Sequence, residues 1–151
     1  MNDESSGDQR RTGDPGKRGE TSHRETEGIA VTVSAQFLAE ESSPSDDHYF
    51  FSYEVLIRND GSAPAQLVSR HWIIINSAGD RHEVRGQGVV GETPRLEPGQ
   101  EFRYTSYCPL DTHWGTMEGS FRMQRDDGEV FDAEVGRFLL IADRSESVVR
   151  L

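Results

Sequence analysis

The sequence lacks several features on which large classes of proteins depend. It has one cysteine, Cys108, among 151 residues, so an internal disulfide framework is excluded. Its apolar runs are only a few residues long, so no segment can span a bilayer. Lys17 is the only lysine, and 27 acidic residues against 16 basic ones give a net charge of −11. Because a surface this acidic repels phosphate backbones, we expect no general binding of DNA or RNA.

Apolar side chains are absent from the first 27 residues after Met1. Such a segment cannot bury enough area to offset the ordering of its backbone, which costs about 1–2 kcal/mol per residue. We therefore predict that residues 1–27 are a disordered tail of mixed charge, either a solubilising segment or a partner-binding arm. The tail lacks the apolar segment of a secretory signal, and we expect a cytoplasmic protein. Residues 143–151 are predicted to be a C-terminal extension.

Apolar residues recur with a period of two in residues 28–142, which is the pattern of half-buried strands. They occupy every second position from 29 to 37 and from 49 to 57, whereas residues 67–75 are apolar on nearly both faces. This pattern predicts an all-β domain, an antiparallel β-sandwich of immunoglobulin or fibronectin type III character. About seven strands are predicted, at 29–37, 49–57, 67–75, 81–85, 102–107, 116–124 and 129–141.

The longest predicted loop carries a G-x-G-x-x-G pattern formed by Gly86, Gly88 and Gly91. In a dinucleotide-binding fold this pattern must open a helix, whose N-terminus receives the pyrophosphate. Here Pro94 and Pro98 follow the glycines, and a continuous helix is implausible. The Rossmann interpretation is therefore rejected.

Two interpretations of this glycine-rich loop, residues 86–91, stay open. Glycines can turn consecutive backbone N–H groups toward one anion without a helix, and the flanking Arg85 and Arg95 could add bonds to phosphate oxygens. Alternatively, the glycines serve turns and bulges at the edge of the sandwich, and Val89 and Val90 pack inward. The first interpretation makes the loop a candidate pyrophosphate site.

No set of residues resembles a catalytic centre or a metal site. The five histidines form no H-x-H or H-x-x-x-H pair, and the acidic run 126–129 lacks the spaced oxygen ligands of a calcium loop. Cys108 has His113 as its one local base, and a lone cysteine on a strand is usually a small buried apolar residue. We predict no catalytic residue, no metal ligand and no resident cofactor, so the protein is expected not to be an enzyme.

The aromatic side chains also have two interpretations. Most of them are expected to fill the core of the sandwich, which needs their volume. Those on an outer face could instead form a protein-binding patch, because Trp and Tyr are enriched in binding hot spots. Trp114, beside Gly115 in a predicted loop, is the aromatic residue that we expect to be exposed, and it is the candidate for partner binding. An unpaired edge strand could also bind a partner by β-addition.

A set of short motifs keeps the order and spacing of a known family. The motifs are Arg70-x-Trp72, Gly86-x-Gly88-Val89-Val90-Gly91, Leu96-x-Pro98-Gly99, Phe102-x-Tyr104-Thr105-Ser106 and Gly115-Thr116-Met117-x-Gly119-x-Phe121-x-Met123. In this arrangement the sequence resembles the ApaG family over about residues 28–142. The resemblance implies a fibronectin type III-like sandwich, in agreement with the periodicity.

The resemblance also implies several functional associations. Bacterial members are associated by name with cobalt and magnesium resistance or efflux, and their glycine motif has been discussed as a pyrophosphate or nucleotide site. Related domains in eukaryotic F-box proteins and in a polymerase-interacting protein are inferred to bind proteins. We therefore predict a non-enzymatic domain that binds an unknown protein partner and is indirectly associated with divalent cation homeostasis. The alternative is a pyrophosphate or nucleotide module that uses Gly86, Gly88 and Gly91, with a divalent cation accompanying the ligand.

Overall fold

Two antiparallel sheets pack face to face in residues 20–142, the part of the chain that the structure, a computed structural model, describes. Within these residues there are two short 3-10 helices, Ala39–Glu41 and Pro44–Asp46. There are nine strands, which are β1 Thr21–Thr26, β2 Ile29–Phe37, β3 Tyr49–Asn59, β4 Ala65–Asn76, β5 Arg81–Gln87, β6 Arg95–Leu96, β7 Glu101–Leu110, β8 Trp114–Arg125 and β9 Val130–Ile141.

The strand order places different edges on the two sides of the sandwich. The first sheet has the order β9-β8-β4-β5, with the short β6 also paired to β4, and the second has the order β1-β2-β3-β7. Every pairing is antiparallel. All seven predicted strands are present, with bounds that differ by a few residues. The prediction of an antiparallel all-β sandwich is therefore confirmed.

The predicted boundary of the tail is wrong for residues 20–27. Strand β1 lies inside that segment and pairs along its whole length with β2, from Thr21 opposite Ser34 to Thr26 opposite Ile29. Because an edge strand is held by backbone hydrogen bonds, it needs no apolar residues of its own, and composition alone misses it. The rest of the predicted tail, residues 1–19, and the predicted extension, 143–151, lie outside the described residues.

The core lies between the sheets and follows the period of two. Two bulges shift this alternation by one residue, one in β4 between Leu67 and Ser69 and one in β9 between Val135 and Phe138. The bulge in β4 turns Arg70, in register with the buried Phe121, toward the interior. The largest fully buried side chains are Phe51, Phe121, Phe138, Ile29, Ile57, Leu67, Met117, Met123, Leu140, Val31, Val33 and Val55.

One side of the sandwich is closed and the other is open. On the closed side, β9 packs against β1 and β2. There the Glu134 N–H donates to Thr26 Oγ1 at 3.1 Å, and the Glu134 carboxylate lies 4.0 Å from Arg24 Nη1. On the open side, β5 and β7 are the edges of their sheets, and no pairing joins them within residues 20–142. The interior is therefore accessible between β5 and β7.

Asn59, at the end of β3, is a fully buried amide with all its polar atoms in use. Its Nδ2 donates to the carbonyl oxygens of Ala63 at 2.9 Å and Leu96 at 3.0 Å, and its Oδ1 accepts from Gly61 N–H at 2.9 Å. Its backbone carbonyl accepts from Gly99 N–H at 2.7 Å. One side chain thus fixes the loop after β3 and the short strand β6.

The Asn59→Ala substitution is expected to lower the free energy of unfolding by about 3 kcal/mol, because it removes the partners of three backbone groups in or near the core. The matched control is Asn76→Ala. Asn76 Oδ1 also accepts two backbone N–H groups of a turn, those of Ala78 and Asp80, but these groups are exposed and can bond water instead. Asn76→Ala is therefore expected to lower the free energy of unfolding by about 1 kcal/mol or less. Urea unfolding measures both, and equal losses would contradict the assigned role of Asn59.

Candidate functional site

A cleft opens between β5 and β7. It comprises a cavity of about 650 Å³ and an adjoining cavity of about 320 Å³ beside the glycine-rich loop. The two cavities share four lining residues, which identify the bottom of this β5–β7 cleft as Tyr53, Arg70, Trp72 and Ser106. These residues come from β3, β4 and β7, so both sheets contribute to the site.

Arg70 is the charged group at the bottom of the cleft. Its Nη1 donates to the carbonyl oxygens of Gln87 at 3.0 Å and Gly88 at 2.8 Å. Its Nε and Nη2 have no hydrogen-bond partner in the described part of the chain, and no carboxylate there forms an ion pair with it. One edge of the guanidinium group is therefore fixed by the loop, and the other edge is free to bind a ligand.

The glycine-rich loop is shaped to hold this arginine. A Cβ atom on Gly86 would lie 2.7 Å from Arg70 Cζ, so only glycine lets the guanidinium lie against the strand. Gly88 has φ +65°, and a Cβ atom there would lie 2.4 Å from the carbonyl oxygen of Glu92. The loop thus presents two carbonyl oxygens to a cation, which is the opposite polarity to an anion-binding nest.

A tight turn closes the loop. The Val89 and Glu92 backbones bond each other in both directions at 2.8 Å. The two residues between them, Val90 and Gly91, both have positive φ, +42° and +79°, as in a type I′ turn. A β-branched residue in this region is strained. Val89 is buried as expected, but the expectation that Val90 packs inward is wrong, because 55% of it is exposed.

The predicted pyrophosphate ligands are only partly brought together. Gly86 lies in β5, and Gly88 and Gly91 lie in the loop that follows it, where Gly88 N–H is bonded to the carbonyl oxygen of Val68 at 3.0 Å. Arg85 alternates with Gly86 along β5 and lies on the opposite face of the strand, 3.5 Å from Glu83. Arg95 is bonded to Glu97 and Asp126, and these carboxylates raise its pKa above the ordinary value. The loop as a pyrophosphate site stays a prediction, and neither flanking arginine is free to serve it as proposed.

Two buried polar atoms near Arg70 have no partner in residues 20–142, namely Trp72 Nε1 and the Tyr104 hydroxyl. The two residues are only 3% and 8% exposed. Burial raises the pKa of Tyr104 and of Tyr53, and a hydrogen bond with Ser106 opposes the shift of Tyr53. From the sequence, Arg70, Trp72 and Tyr104 are named only as residues of the family motifs, and none of them is assigned to a site. The available signal was a charged residue in an otherwise apolar strand.

Trp114 is 38% exposed, as a partner-binding residue would be. The expectation that it lies in a loop is wrong, because it is the first residue of β8 and pairs with Ile141 of β9. Tyr107, which stacks on Phe50 with ring centroids 5.7 Å apart, is more exposed, at 56%. The expected exposure of Trp114 is confirmed, and its role in partner binding stays a prediction.

Cys108 is buried between the sheets, as predicted for a lone cysteine on a strand. Burial raises the pKa of its thiol to about 12, which keeps the thiolate population small. Among residues 20–142, no group of three His, Cys, Asp or Glu side chains is arranged to hold a metal ion. In the same residues, no helix has the length and apolar character to cross a membrane.

Residues 39–125, which carry the β5–β7 cleft, match the ApaG domain. The chain belongs to the ApaG family. Protein ApaG of Anaeromyxobacter dehalogenans is 54% identical over 120 residues, which are 80% of this chain and 94% of that protein. Protein ApaG of an Azoarcus species is 50% identical over 123 residues, 82% of this chain and 97% of that protein. The names of these relatives state no enzymatic activity.

The sandwich is also that of a solved family structure. The crystal structure of an ApaA protein from Bordetella pertussis superposes on the chain with a TM-score of 0.75 at 43% sequence identity. The match covers 82% of this chain and 97% of that chain. The resemblance to the ApaG family and the fibronectin type III-like fold that it implies are therefore confirmed.

The buried Cys108 is expected to react with a thiol reagent about a thousandfold more slowly in the folded chain than in the unfolded chain, at any pH below about 9. The factor follows from the rise of the thiol pKa from 9.0 to about 12. Since only the unfolded thiol ionises between these values, the free energy of unfolding is also expected to fall as pH rises above about 9. Release of a chromophore from a disulfide reagent, with and without guanidinium chloride, measures the rates, and equal rates would contradict the burial.

Val90→Asn is expected to raise the free energy of unfolding by about 1 kcal/mol, because Asn tolerates the positive φ of the turn and Val does not. The control is Val130→Asn, at a residue that is 54% exposed, close to the 55% of Val90, but begins strand β9 without a positive φ. There a loss of a few tenths of a kcal/mol is expected, since Asn disfavours strands. Thermal unfolding distinguishes the two, and a gain at both positions or at neither would contradict the strain at Val90.

Proposed function

We propose that this ApaG-family domain is a non-enzymatic binding domain, and that an extended segment of a partner protein adds to the free edge of β5, beside the β5–β7 cleft. The observation that carries the proposal is the open side of the sandwich. Both sheets end there in an unpaired strand, and the interior is accessible between them. Unpaired edges present free N–H and C=O groups in register, which an extended peptide can bond.

The hydrogen bonds of β5 support its role as the docking edge. The Asn76 N–H bonds the Asp80 carbonyl oxygen, and the Gly88 N–H bonds that of Val68, so the even-numbered residues of the hairpin form the bonded pairs. The N–H groups of the odd-numbered residues, including Glu83 and Arg85, therefore point away from β4. Strand β5 contains no proline, whereas β7 loses one donor at Pro109.

The side chains of β5 are suited to a reversible contact. On its outer face, Glu83 is within 2.9 Å of both Arg81 and His71, and these two partners lower the pKa of the Glu83 carboxyl. Charged side chains on an edge strand hinder pairing between identical chains. A partner with complementary charges can still approach, and the edge is thereby selective.

A second candidate function is binding of pyrophosphate or a nucleotide at the glycine-rich loop. The free guanidinium edge of Arg70 favours it, as do the N–H groups of Val90 and Gly91, which have no partner within residues 20–142. Under this candidate, Arg70 takes the place predicted for Arg85 and Arg95. A divalent cation would then arrive with the nucleotide.

Three further predictions belong with this proposal. The absence of an enzymatic activity is supported by the buried, neutral thiol of Cys108, the only cysteine. The association with cobalt and magnesium homeostasis would be indirect and act through the partner. A cytoplasmic location is the compartment in which we expect that partner.

Arg85→Pro is expected to weaken binding of a peptide selected from a random display library by about fivefold or more, because it removes one outward N–H donor of β5. Arg85→Ala is the matched control. It removes the same side chain and keeps the N–H, so its affinity is expected to stay within about twofold. Isothermal titration measures both affinities, and amide spectra check that both variants fold, as edge strands tolerate proline at outward positions.

Amide exchange of the full chain locates the peptide. Slower exchange at the odd-numbered residues of β5, with β7 unchanged, is the expected result. Protection centred on Trp114 or on β7, or failure to select any binding peptide, would contradict docking at β5. A parallel titration with pyrophosphate tests the second candidate, for which shifts at Arg70, Val90 and Gly91 are expected without protection of β5.

A further inference from the structure

Arg70 differs from the other arginines in residues 20–142. Each of them except Arg125 forms an ion pair with a carboxylate. Arg125 uses both of its terminal nitrogens, since Nη1 and Nη2 bond backbone carbonyl oxygens and the guanidinium lies 4.6 Å from the Phe131 ring centroid. Arg70 alone among these combines the lack of an ion pair with unbonded Nε and Nη2, although the chain carries a net charge of −11.

The neighbours of the free edge are hydrogen-bond donors. Trp72 Nε1 can only donate, and the Tyr104 hydroxyl can donate as well as accept. Both atoms are buried and lack partners in the described residues, and both side chains line the cavity that Arg70 lines. A buried polar group without a partner is rare in native proteins and calls for a ligand or bound water. The side chains that carry these two donors thus line the same cavity as Arg70, and neither donor is bonded to an acceptor in the described residues.

The number and geometry of these donors fit a carboxylate better than a phosphate. The Nε and Nη2 edge of an arginine matches the two oxygens of a planar carboxylate in a fork-to-fork arrangement. A single free guanidinium balances one negative charge, whereas a phosphate dianion needs a second cation. The two arginines of β5, Arg81 and Arg85, are both paired with Glu83.

We infer that Arg70, Trp72 and Tyr104 form a carboxylate-binding site at the bottom of the β5–β7 cleft, into which the partner segment inserts an acidic group. This inference rests on the proposed function and specifies the chemistry of the partner. In this carboxylate-binding site, the glycine-rich loop positions Arg70. Gly86 makes room for the guanidinium, and the carbonyl oxygens of Gln87 and Gly88 orient it.

The two tryptophans of the chain provide an internal comparison for a direct test. The full-length protein is titrated with hippurate, which represents a C-terminal carboxylate, and with N-acetyl-aspartic acid amide, which represents an acidic side chain. A saturable shift of the Trp72 indole N–H resonance is expected with at least one of them, while the Trp114 indole resonance stays in place. The neutral methyl ester of hippurate is expected to shift neither resonance.

Variants separate the site from general effects on the fold. Arg70→Met is expected to weaken hippurate binding by about tenfold or more, and Arg70→Lys to weaken it severalfold, because lysine keeps the charge and loses the fork. Arg103→Met is the control, since Arg103 is an exposed arginine on β7 paired with Glu54 at 3.5 Å, and no change is expected. If Arg70→Met fails to fold, Gly86→Ala replaces it, because the added Cβ displaces the guanidinium and leaves the arginine in the chain.

The remaining outcomes each overturn the inference. They are the absence of a Trp72 shift with either carboxylate, an equal shift with the methyl ester, and tighter binding of inorganic phosphate than of either carboxylate. The last result would favour the pyrophosphate candidate instead. Docking at β5 is measured by amide exchange of β5, so it can succeed where the carboxylate site fails. If neither protection of β5 nor binding of a carboxylate is observed, the proposed function is contradicted as well.

Discussion

The hydrogen bonds from Arg70 Nη1 to the carbonyl oxygens of Gln87 and Gly88 connect the interior of the sandwich to its most irregular loop. They require that Arg70 face inward, which the bulge in β4 achieves by shifting the alternation of the strand by one residue. They also require that nothing larger than hydrogen stand on Gly86. The spacing of the glycines, the bulge and the direction of the arginine thus form one arrangement, and none of the three is informative alone.

The two sides of the sandwich differ in whether the edge strands of the two sheets contact each other. Where β9 meets β1, a backbone N–H bonds a threonine hydroxyl and charged side chains meet across the sheets, so the interior is covered. Where β5 faces β7, the edges stay apart and polar groups line the opening. The stability of the sandwich does not require such an opening. The strained backbone of Val90, at the same place, lowers the stability further, which indicates that this region serves a function other than folding.

Much of the fold could be predicted from the sequence, because apolar residues recur at every second position in strands with one buried face. The inward sets of β2 and β3 follow that rule. Strand β1 does not, since backbone pairing holds it without apolar residues, and β6 is only two residues long. The site was harder to predict, because a bulge changes which residues face inward and leaves no mark in composition. The glycine motif drew attention to Arg85 and Arg95, its neighbours in sequence, whereas its neighbour in space is Arg70.

The position of β1 bears on how the family domain can be cut from its chain. The ApaG domain match begins at residue 39 and the periodic pattern at residue 29, so a fragment designed from sequence would start after β1. A fragment that starts at residue 29 would leave β2, an apolar strand with five of its nine residues buried, as an uncovered edge. It would also lack the contact between β1 and β9, which closes one side of the sandwich. A truncated domain of this kind would expose the apolar edge of β2 and would tend to polymerise, whereas β1 covers that edge in the longer chain.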